Sequence, residues 1–310
     1  MKKTCGGEKM RPTIISEVSD RPGQNGWERH DSKSIVSLII PTLEEAENLK
    51  LVLPAIPNIV DELIIVDGGS TDGTLDVVRE LRPSAKIIID TLPGKGNALR
   101  RGFEAAVGDI LVMMDADGSM DPVDIGIFVA VLEAGADVAK GSRFLQGGGS
   151  ADMTIVRRLG NRALTRAVRL AFGGRYSDLC YGYMAFWRHV LPMFAGHVKG
   201  FEVETFLNVR ALAAGLRVVE VASFESARLY GESHLRTFRD GSRVLFTIGR
   251  ERRWLSKARA ERGIPRAGEG HLIPVPEADE HVLPVDDAAQ GPAPIADIFP
   301  DPSAPLANEA

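Results

Sequence analysis

The sequence predicts an α/β fold built on an open sheet, because three apolar runs each stop at a polar turn and each turn gives way to helical spacing. The runs are residues 36–40 (VSLII), 62–66 (ELIIV) and 110–114 (ILVMM). Short apolar runs bounded by turn signals read as strands buried on both faces. In such a sheet ligands bind beyond the carboxyl ends of the strands, so the three turns are expected to converge on one crevice.

The first run ends at Pro41-Thr42-Leu43-Glu44-Glu45, followed by apolar residues at helical spacing. The second ends at Asp67-Gly68-Gly69-Ser70-Thr71-Asp72-Gly73-Thr74. Its glycines permit positive φ and close approach of a ligand, and Asp72 or Thr74 can cap the next helix. A Gly94-Lys95-Gly96 turn opens a further helix, without the GxxxxGK[ST] spacing of a phosphate-binding P-loop. The third run ends at Asp115-Ala116-Asp117. In extended backbone residues i and i+2 share a face, so Asp115 and Asp117 are expected to point together beyond the strand end. Two converging carboxylates repel unless a cation lies between them, and hard oxygen ligands suit Mg2+ or Mn2+ carrying a phosphate. The plainer alternative is a strand that runs into an acidic turn.

Four segments, VSLIIPTLEE (36–45), LIIVDGGSTDGT (63–74), GKGNALRRG (94–102) and LVMMDADGSMDP (111–122), resemble in order and spacing the inverting glycosyltransferases of family two. The flavour is that of the dolichyl- or polyprenyl-phosphate mannosyl and glucosyl transferases and related bacterial sugar transferases. The resemblance spans residues 34–253 and implies the GT-A fold: a mostly parallel, Rossmann-like nucleotide-binding sheet flanked by helices, with an acceptor-binding half. It implies that Pro41, Thr42, Leu43 and Glu44 line the nucleoside pocket of a nucleotide-sugar donor. Asp67 would approach the base or ribose, where a carboxylate accepts from imide or hydroxyl donors. Lys95 would reach phosphate or base oxygens. Asp115 and Asp117 would hold the divalent ion that bridges the diphosphate and stabilises the departing nucleotide. Asp117 is then the direct ligand, and Asp115 reaches the ribose or the metal through water. Many relatives carry Asn-Glu where this chain reads Leu43-Glu44-Glu45, and Asp-Asp-Gly-Ser where it reads Asp67-Gly68-Gly69-Ser70, which leaves the donor base open.

Residues 138–144 (VAKGSRF) read as a strand and turn. They resemble the Gly-Ser-Arg segment of the polyprenyl-phosphate sugar transferases, which implies that Arg143 faces phosphate through paired hydrogen bonds. Arg157, Arg158 and Arg162 follow on a helix with Asn161 and are either phosphate-directed or a solvated basic face. Residues 177–188 (SDLCYGYMAFWR) resemble the Asp-x-x-x-Gly segment that the family places beside donor sugar and acceptor, so Asp178 is expected to receive a sugar hydroxyl. Tyr181, Tyr183 and Trp187 form a sugar platform or a packed aromatic corner. Glu202 and Glu204 stand where many members have the acid pair that deprotonates an acceptor hydroxyl. Glu204 is the candidate base. A lipid phosphate needs no base, and the acid then orients the sugar or simply favours a helix start. Residues 226–234 (SARLYGESH) resemble the family's late Arg-x-x-Gly-x-Ser-Lys element, which implies that Arg228 clamps the donor diphosphate. His234 stands where relatives often have lysine and is either a metal or phosphate ligand or a surface residue.

The expected activity is therefore an inverting, divalent-metal-dependent hexosyl transfer, with Asp117, Glu204 and Asp178 as catalytic residues and polyprenyl phosphate as the favoured acceptor. A polysaccharide, glycolipid or small-metabolite hydroxyl is the alternative acceptor. A sugar-phosphate nucleotidyltransferase would need a glycine-rich basic loop after its first strand, where residues 41–48 are acidic. A noncatalytic sugar-nucleotide binder would keep the same fold.

Composition sets the outer bounds. A formal net charge of −5 speaks against bulk attraction to nucleic acid. Two cysteines are too few for a disulfide framework or a zinc site and fit a cytoplasmic protein. The expected organisation is a flexible arm over residues 1–33, one catalytic body over 34–257, and a linker with a disordered tail over 258–310. The tail has eight prolines and no Lys or Arg from His271 onward, so it cannot bury enough apolar surface to offset chain entropy. No stretch reaches the roughly 20 apolar residues that span a bilayer. Residues 239–257 interleave Val244, Leu245, Phe246, Ile248, Trp254 and Leu255 with arginines and Lys257. That pattern suits a helix lying peripherally on the inner face of an anionic cell membrane, or a helix packed on the catalytic body.

Overall fold

The computed structural model describes residues 15–17, 33–196, 198–231 and 237–262. In chain order the strands are β1 (Ile15–Glu17), β2 (Val36–Thr42), β3 (Glu62–Asp67), β4 (Lys86–Ile89), β5 (Ile110–Met113), β6 (Val138–Ser142), β7 (Gly149–Ser150), β8 (Met184–Trp187), β9 (Val218–Ala222) and β10 (Phe224–Glu225). The helices are α1 (Ala46–Ala55), α2 (Thr74–Leu81), α3 (Lys95–Ala105), α4 (Ile125–Glu133), α5 (Ile155–Phe172), α6 (Val203–Ala214) and α7 (Thr237–Arg262). Eight strands form one sheet in the order β1-β9-β6-β8-β5-β2-β3-β4, and β7 pairs with β10 in a small second sheet. Strands β5, β2, β3 and β4 run parallel, as do β6 and β9, whereas β8 is antiparallel to both β5 and β6. The mostly parallel sheet flanked by helices is the GT-A-type architecture that the resemblance implies.

The apolar runs split residue by residue onto two cores, as a strand buried on both faces must. Ile39, Ile64, Val66, Leu111 and Met113 pack on one face with Leu99 and Phe103 of α3 and Phe206 and Val209 of α6. Leu38, Ile40, Ile65 and Val112 pack on the other with Leu49 and Leu53 of α1 and Phe128 and Leu132 of α4. Of the two expected caps, Asp72 serves the start of α2. Gly73, at φ 91°, is the residue before α2, and Asp72 accepts the Thr74 N–H at 3.0 Å and the Ala46 N–H at 3.0 Å. One carboxylate thereby serves the starts of two helices.

Within the expected flexible arm β1 pairs antiparallel with Val219, Glu220 and Val221 of β9, and Lys33 reaches Asp61 at 2.9 Å. At the other end α7 continues to Arg262, past the expected boundary at 257. Residues 1–14 and 18–32 and the tail beyond 262 lie outside the described residues. Helix α7 buries Val244, Ile248 and Leu255, while Leu245, Phe246 and Trp254 stay exposed. Arg210 of α6 ties it down, donating from Nε to Glu251 at 2.7 Å with its guanidinium 3.5 Å from the centre of the Trp254 ring. The inner face of α7 is thus a packed helix. Among the described residues no helix is long and apolar enough to cross a membrane.

Helix α3 approaches β2 closely enough that a Cβ on Gly102 would lie 2.3 Å from Ile39 Cγ2. Gly102→Ala is expected to lower stability by about 1–3 kcal/mol through this overpacking. Urea denaturation checks it, and an unchanged midpoint would contradict the close α3–β2 contact.

Candidate active site

The turns after β2, β3 and β5 meet at a cavity of about 620 Å³, a volume usual for small-molecule sites. Pro41, Thr42, Leu43, Glu45 and Gly68 line one side, with Lys95, Asp115 and Asp117 beneath. Strand β5 ends at Met113, so the two aspartates belong to the following turn, yet both still face the cavity.

Lys95 is the first residue of α3, and its place is set by glycines on either side. Gly94 has φ 109°, and a Cβ there would lie 2.0 Å from the Lys199 carbonyl oxygen. The Gly96 N–H donates to that same oxygen at 2.9 Å. Only chain without side chains at these positions can press the helix start against the 198–200 loop. The Lys95 ammonium then lies 2.5 Å from Asp115 Oδ1 and 2.8 Å from Glu204 Oε1, and its side chain is nearly buried. Gly182 forms the floor: a Cβ there would meet Lys95 Nζ at 2.8 Å and Glu204 Oε1 at 3.2 Å. Burial opposes the lysine charge, but Asp115 and Glu204 outweigh it and hold the ammonium above its usual range. Burial raises the Glu204 carboxyl above its ordinary value; Lys95 pulls it down and Asp115 adds to the rise.

Arg228 closes the opposite side, with one guanidinium nitrogen 3.2 Å from Glu45 Oε1 and another 3.2 Å from Asp117 Oδ2. Its loop is latched to the aspartate turn and to α1. The Ser226 N–H donates to the Ser119 carbonyl at 2.8 Å, and the Tyr230 N–H to Asn48 Oδ1 at 3.0 Å.

Arg143 lines the cavity but spends most of its donors on protein. Its Nε and Nη2 form a fork on Asp178 at 2.6 and 3.0 Å, and Nη1 donates to both Glu225 oxygens at 3.1 Å. Behind it the fully buried Lys140 donates to the Tyr181 carbonyl at 3.0 Å, and Glu220 accepts the N–H groups of Ser177 and Asp178.

Three expected roles are corrected by this geometry. Asp178 is fully buried and bound by Arg143 and by the Arg143 and Cys180 N–H groups, so it positions Arg143 and has no access to a sugar hydroxyl. Asp67 is also fully buried; it accepts from the N–H groups of Gly69 and Ser70 and from the hydroxyls of Thr42 and Ser70, shaping the turn without facing a base. Glu44, at φ 56°, turns its carboxylate away to the Thr71 N–H, and Glu45 takes its place on the cavity wall. Tyr181 and Tyr183 are buried in an aromatic corner, with the Arg143 guanidinium 4.9 Å from the centre of the Tyr181 ring. His234 lies outside the described residues.

Several contributors escaped the sequence reading. Glu45 sits within the first turn, where the resemblance points to its neighbour Glu44. Glu225 carries no local signal of its own, and Gly182 is the glycine of the Asp-x-x-x-Gly segment, whose place beneath Lys95 that segment does not announce. Asn161, noted only as a helix companion, accepts the Leu179 and Cys180 N–H groups at 3.2 Å and fixes the loop that holds Asp178.

Among the described residues no group of three or more His, Cys, Asp or Glu could hold a metal by itself. Mg2+ is usually held by one or two carboxylates with substrate phosphates and water completing the shell. Asp115 and Asp117 match that donor set, and the ammonium and guanidinium now on them mark both carboxylates as places where positive charge is favoured.

Residues 37–206 match the family model described as Glycosyl transferase family 2. Glycosyltransferase AglJ of Haloferax volcanii is 30% identical over 221 residues, covering 69% of this chain and 71% of its own. Polyprenol monophosphomannose synthase of Mycolicibacterium smegmatis is 30% identical over 238 residues, 73% of this chain and 88% of its own. Among solved structures, glucosyl-3-phosphoglycerate synthase of Mycobacterium tuberculosis, in complex with Mn2+, UDP and glucosyl-3-phosphoglycerate, has a similar fold. Its TM-score is 0.56 at 24% identity, over 78% of this chain and 88% of that one.

The Asp178–Arg143 pair yields a stability test. Burial alone would raise the Asp178 carboxyl; the charge and hydrogen bonds of Arg143, with Lys140 behind, outweigh it and hold the group below its ordinary value. A depressed carboxylate contributes stability above its unfolded pKa of about 3.9, and that contribution is lost as pH falls through the folded value. Asp178→Asn is expected to cost about 3 kcal/mol at pH 7 by leaving a buried guanidinium undercompensated, with the gap to wild type narrowing below about pH 4. Denaturant titrations across pH check this; equal stability at pH 7 would contradict the pairing.

Proposed function

Since the chain belongs to glycosyl transferase family 2 and is a glycosyltransferase, we propose that it is an inverting, divalent-metal-dependent hexosyltransferase that uses a nucleotide-diphosphate sugar and a polyprenyl phosphate acceptor. The observation that carries the reading is the pair Asp115 and Asp117 in the cavity beyond β5, flanked by Lys95 and Arg228. Pro41, Thr42, Leu43 and Gly68 form a shallow wall suited to the nucleoside. Asp115 and Asp117 would hold Mg2+ or Mn2+, which when bound supplies Lewis-acid stabilisation of charge on the leaving diphosphate. Arg228 exchanges Asp117 for diphosphate oxygens, for which a guanidinium is well matched. Lys95 keeps Asp115 and Glu204 at a fixed separation below the sugar site.

The acceptor assignment draws on the far wall. Met153, Val156, Leu164, Phe201 and Val244 make that side of the cavity largely apolar, and Arg157 stands among them, 3.4 Å from Asp152. An apolar wall with one guanidinium suits a phosphate attached to a hydrocarbon chain, and it offers little to a polyhydroxylated glycan. Such an acceptor would place the enzyme peripherally at the inner face of the cell membrane. A hydroxyl acceptor is the second reading, favoured by one observation: Glu204 lines the cavity with its carboxyl held above its ordinary value by burial, as a general base would require.

One series of variants separates these readings. Asp117→Asn is expected to fold normally and to lose transfer from nucleotide-sugar donors. Glu204→Gln separates the acceptors, because a phosphate nucleophile is already ionised. With polyprenyl phosphate the loss in kcat should stay below about 100-fold, whereas removal of a general base costs roughly 10² to 10⁴-fold. Full transfer by Asp117→Asn would refute the metal role. A loss in the larger range for Glu204→Gln, with label in water-soluble product, would replace the lipid acceptor by a hydroxyl.

A further inference from the structure

Helix α5 has two working faces, and the cavity uses one of them. At 3.6 residues per turn Asn161 and Leu164 point to the cavity, and Val168 to the core. The opposite face carries Ile155, Leu159 and Leu170, which are 78%, 57% and 79% exposed. Arg158, Arg162, Arg166 and Arg169 lie on that same face, all exposed. None of the four forms an ion pair among the described residues, and α5 contains no acidic residue. An outward helix face that joins large aliphatic side chains to uncompensated guanidinium groups is unusual on a chain whose net charge is −5. Water gains nothing from the aliphatic groups, and among the described residues no acid neutralises the cations.

We infer that the outer face of α5 is a docking surface for an anionic lipid bilayer, with Ile155, Leu159 and Leu170 entering the acyl boundary and the four arginines meeting lipid phosphates. This is the composition of a helix that lies in a membrane interface, and anionic headgroups supply the missing negative charge. Helix α7 packs beside α5 and leaves Leu245 and Phe246 57% and 68% exposed, which adds apolar surface next to the patch. The placement deepens the proposed lipid acceptor reading. With α5 on the bilayer, the apolar cavity wall formed by its inner face stands about one helix diameter, roughly 10 Å, from the lipid. A phosphate on a membrane-embedded chain then lies within reach of that wall.

The surface is tested without substrate, so its outcome is independent of the acceptor. Full-length protein is sedimented with vesicles of phosphatidylcholine alone or mixed with phosphatidylglycerol. Binding is expected only to the mixed vesicles, weakening as salt rises. Arg166→Gln with Arg169→Gln should reduce that binding roughly tenfold or more, and Leu159→Ser with Leu170→Ser should also reduce it. These side chains point away from the cavity, so the variants should retain wild-type thermal unfolding and transfer to a short-chain, water-soluble prenyl phosphate. Wild-type protein left in the supernatant with both vesicles would overturn the inference. So would α5 variants that bind as wild type while Phe246→Ser does not, which would assign docking to α7. Vesicle binding with no transfer to prenyl phosphate would retain the surface and reject the acceptor.

Discussion

Of the acidic residues that line the cavity, four, Glu45, Asp115, Asp117 and Glu204, share two cations, and the site depends on how their mutual repulsion is offset. Two like charges about 4 Å apart repel by about 1 kcal/mol in water and about 4 kcal/mol at the effective dielectric of a protein surface. Lys95 and Arg228 each bridge two of the four, Lys95 between Asp115 and Glu204 and Arg228 between Asp117 and Glu45. Acid and base therefore alternate around the cavity. Under the proposed reading a metal-bound diphosphate would bring both a cation for the aspartates and anions for Arg228, leaving no charge unpaired.

The backbone is shaped to keep those two bridges in place. Glycines 94 and 96 let the start of α3 press against the Val198–Lys199 backbone, and Gly182 leaves room for the Lys95 ammonium itself. The loop after β10 is pinned to Ser119 and Asn48, which brings Arg228 over the aspartate turn. Behind the cavity, Lys140, Asp178 and Glu220 form a second charged layer, which together with Glu225 on the cavity wall fixes Arg143. Such a layer costs desolvation and is retained only where its partners are complete. Asp178, with a fork from Arg143 and two further N–H donors, meets that condition.

Much of this was legible locally. A strand buried on both faces must be an apolar run, and a turn facing a ligand must be polar and rich in glycine, so β2, β3, β5 and their turns could be read directly. The positions of Asp115 and Asp117 followed from the last of these junctions, and Lys95 from the family resemblance at its Gly-Lys-Gly turn. The direction of a carboxylate is not a local property. Asp67 and Asp178 have the residue type of a ligand-binding acid, yet loop N–H groups and a buried guanidinium hold them in the protein. Glu44 and Glu45 are adjacent and alike in sequence; a positive φ at Glu44 decides which one reaches the cavity. The Lys95–Glu204 pair joins residues 109 positions apart, and only the folded sheet brings them together. The basic character of α5 was evident, but the division between its cavity face and its outer face needed the packing of Val168 and Leu164 against the body.

The exchange of protein cations for a metal at Asp115 and Asp117 is most directly measured by electron paramagnetic resonance of Mn2+ titrated into the protein with and without a nucleoside diphosphate. Mn2+ is expected to bind weakly to the protein alone, where Lys95 and Arg228 occupy the carboxylates, and at least tenfold more tightly once the diphosphate is present, with the gain absent in Asp117→Asn. Mn2+ affinity that ignores the diphosphate, or a gain that survives in Asp117→Asn, would contradict a metal held between these carboxylates and the leaving group.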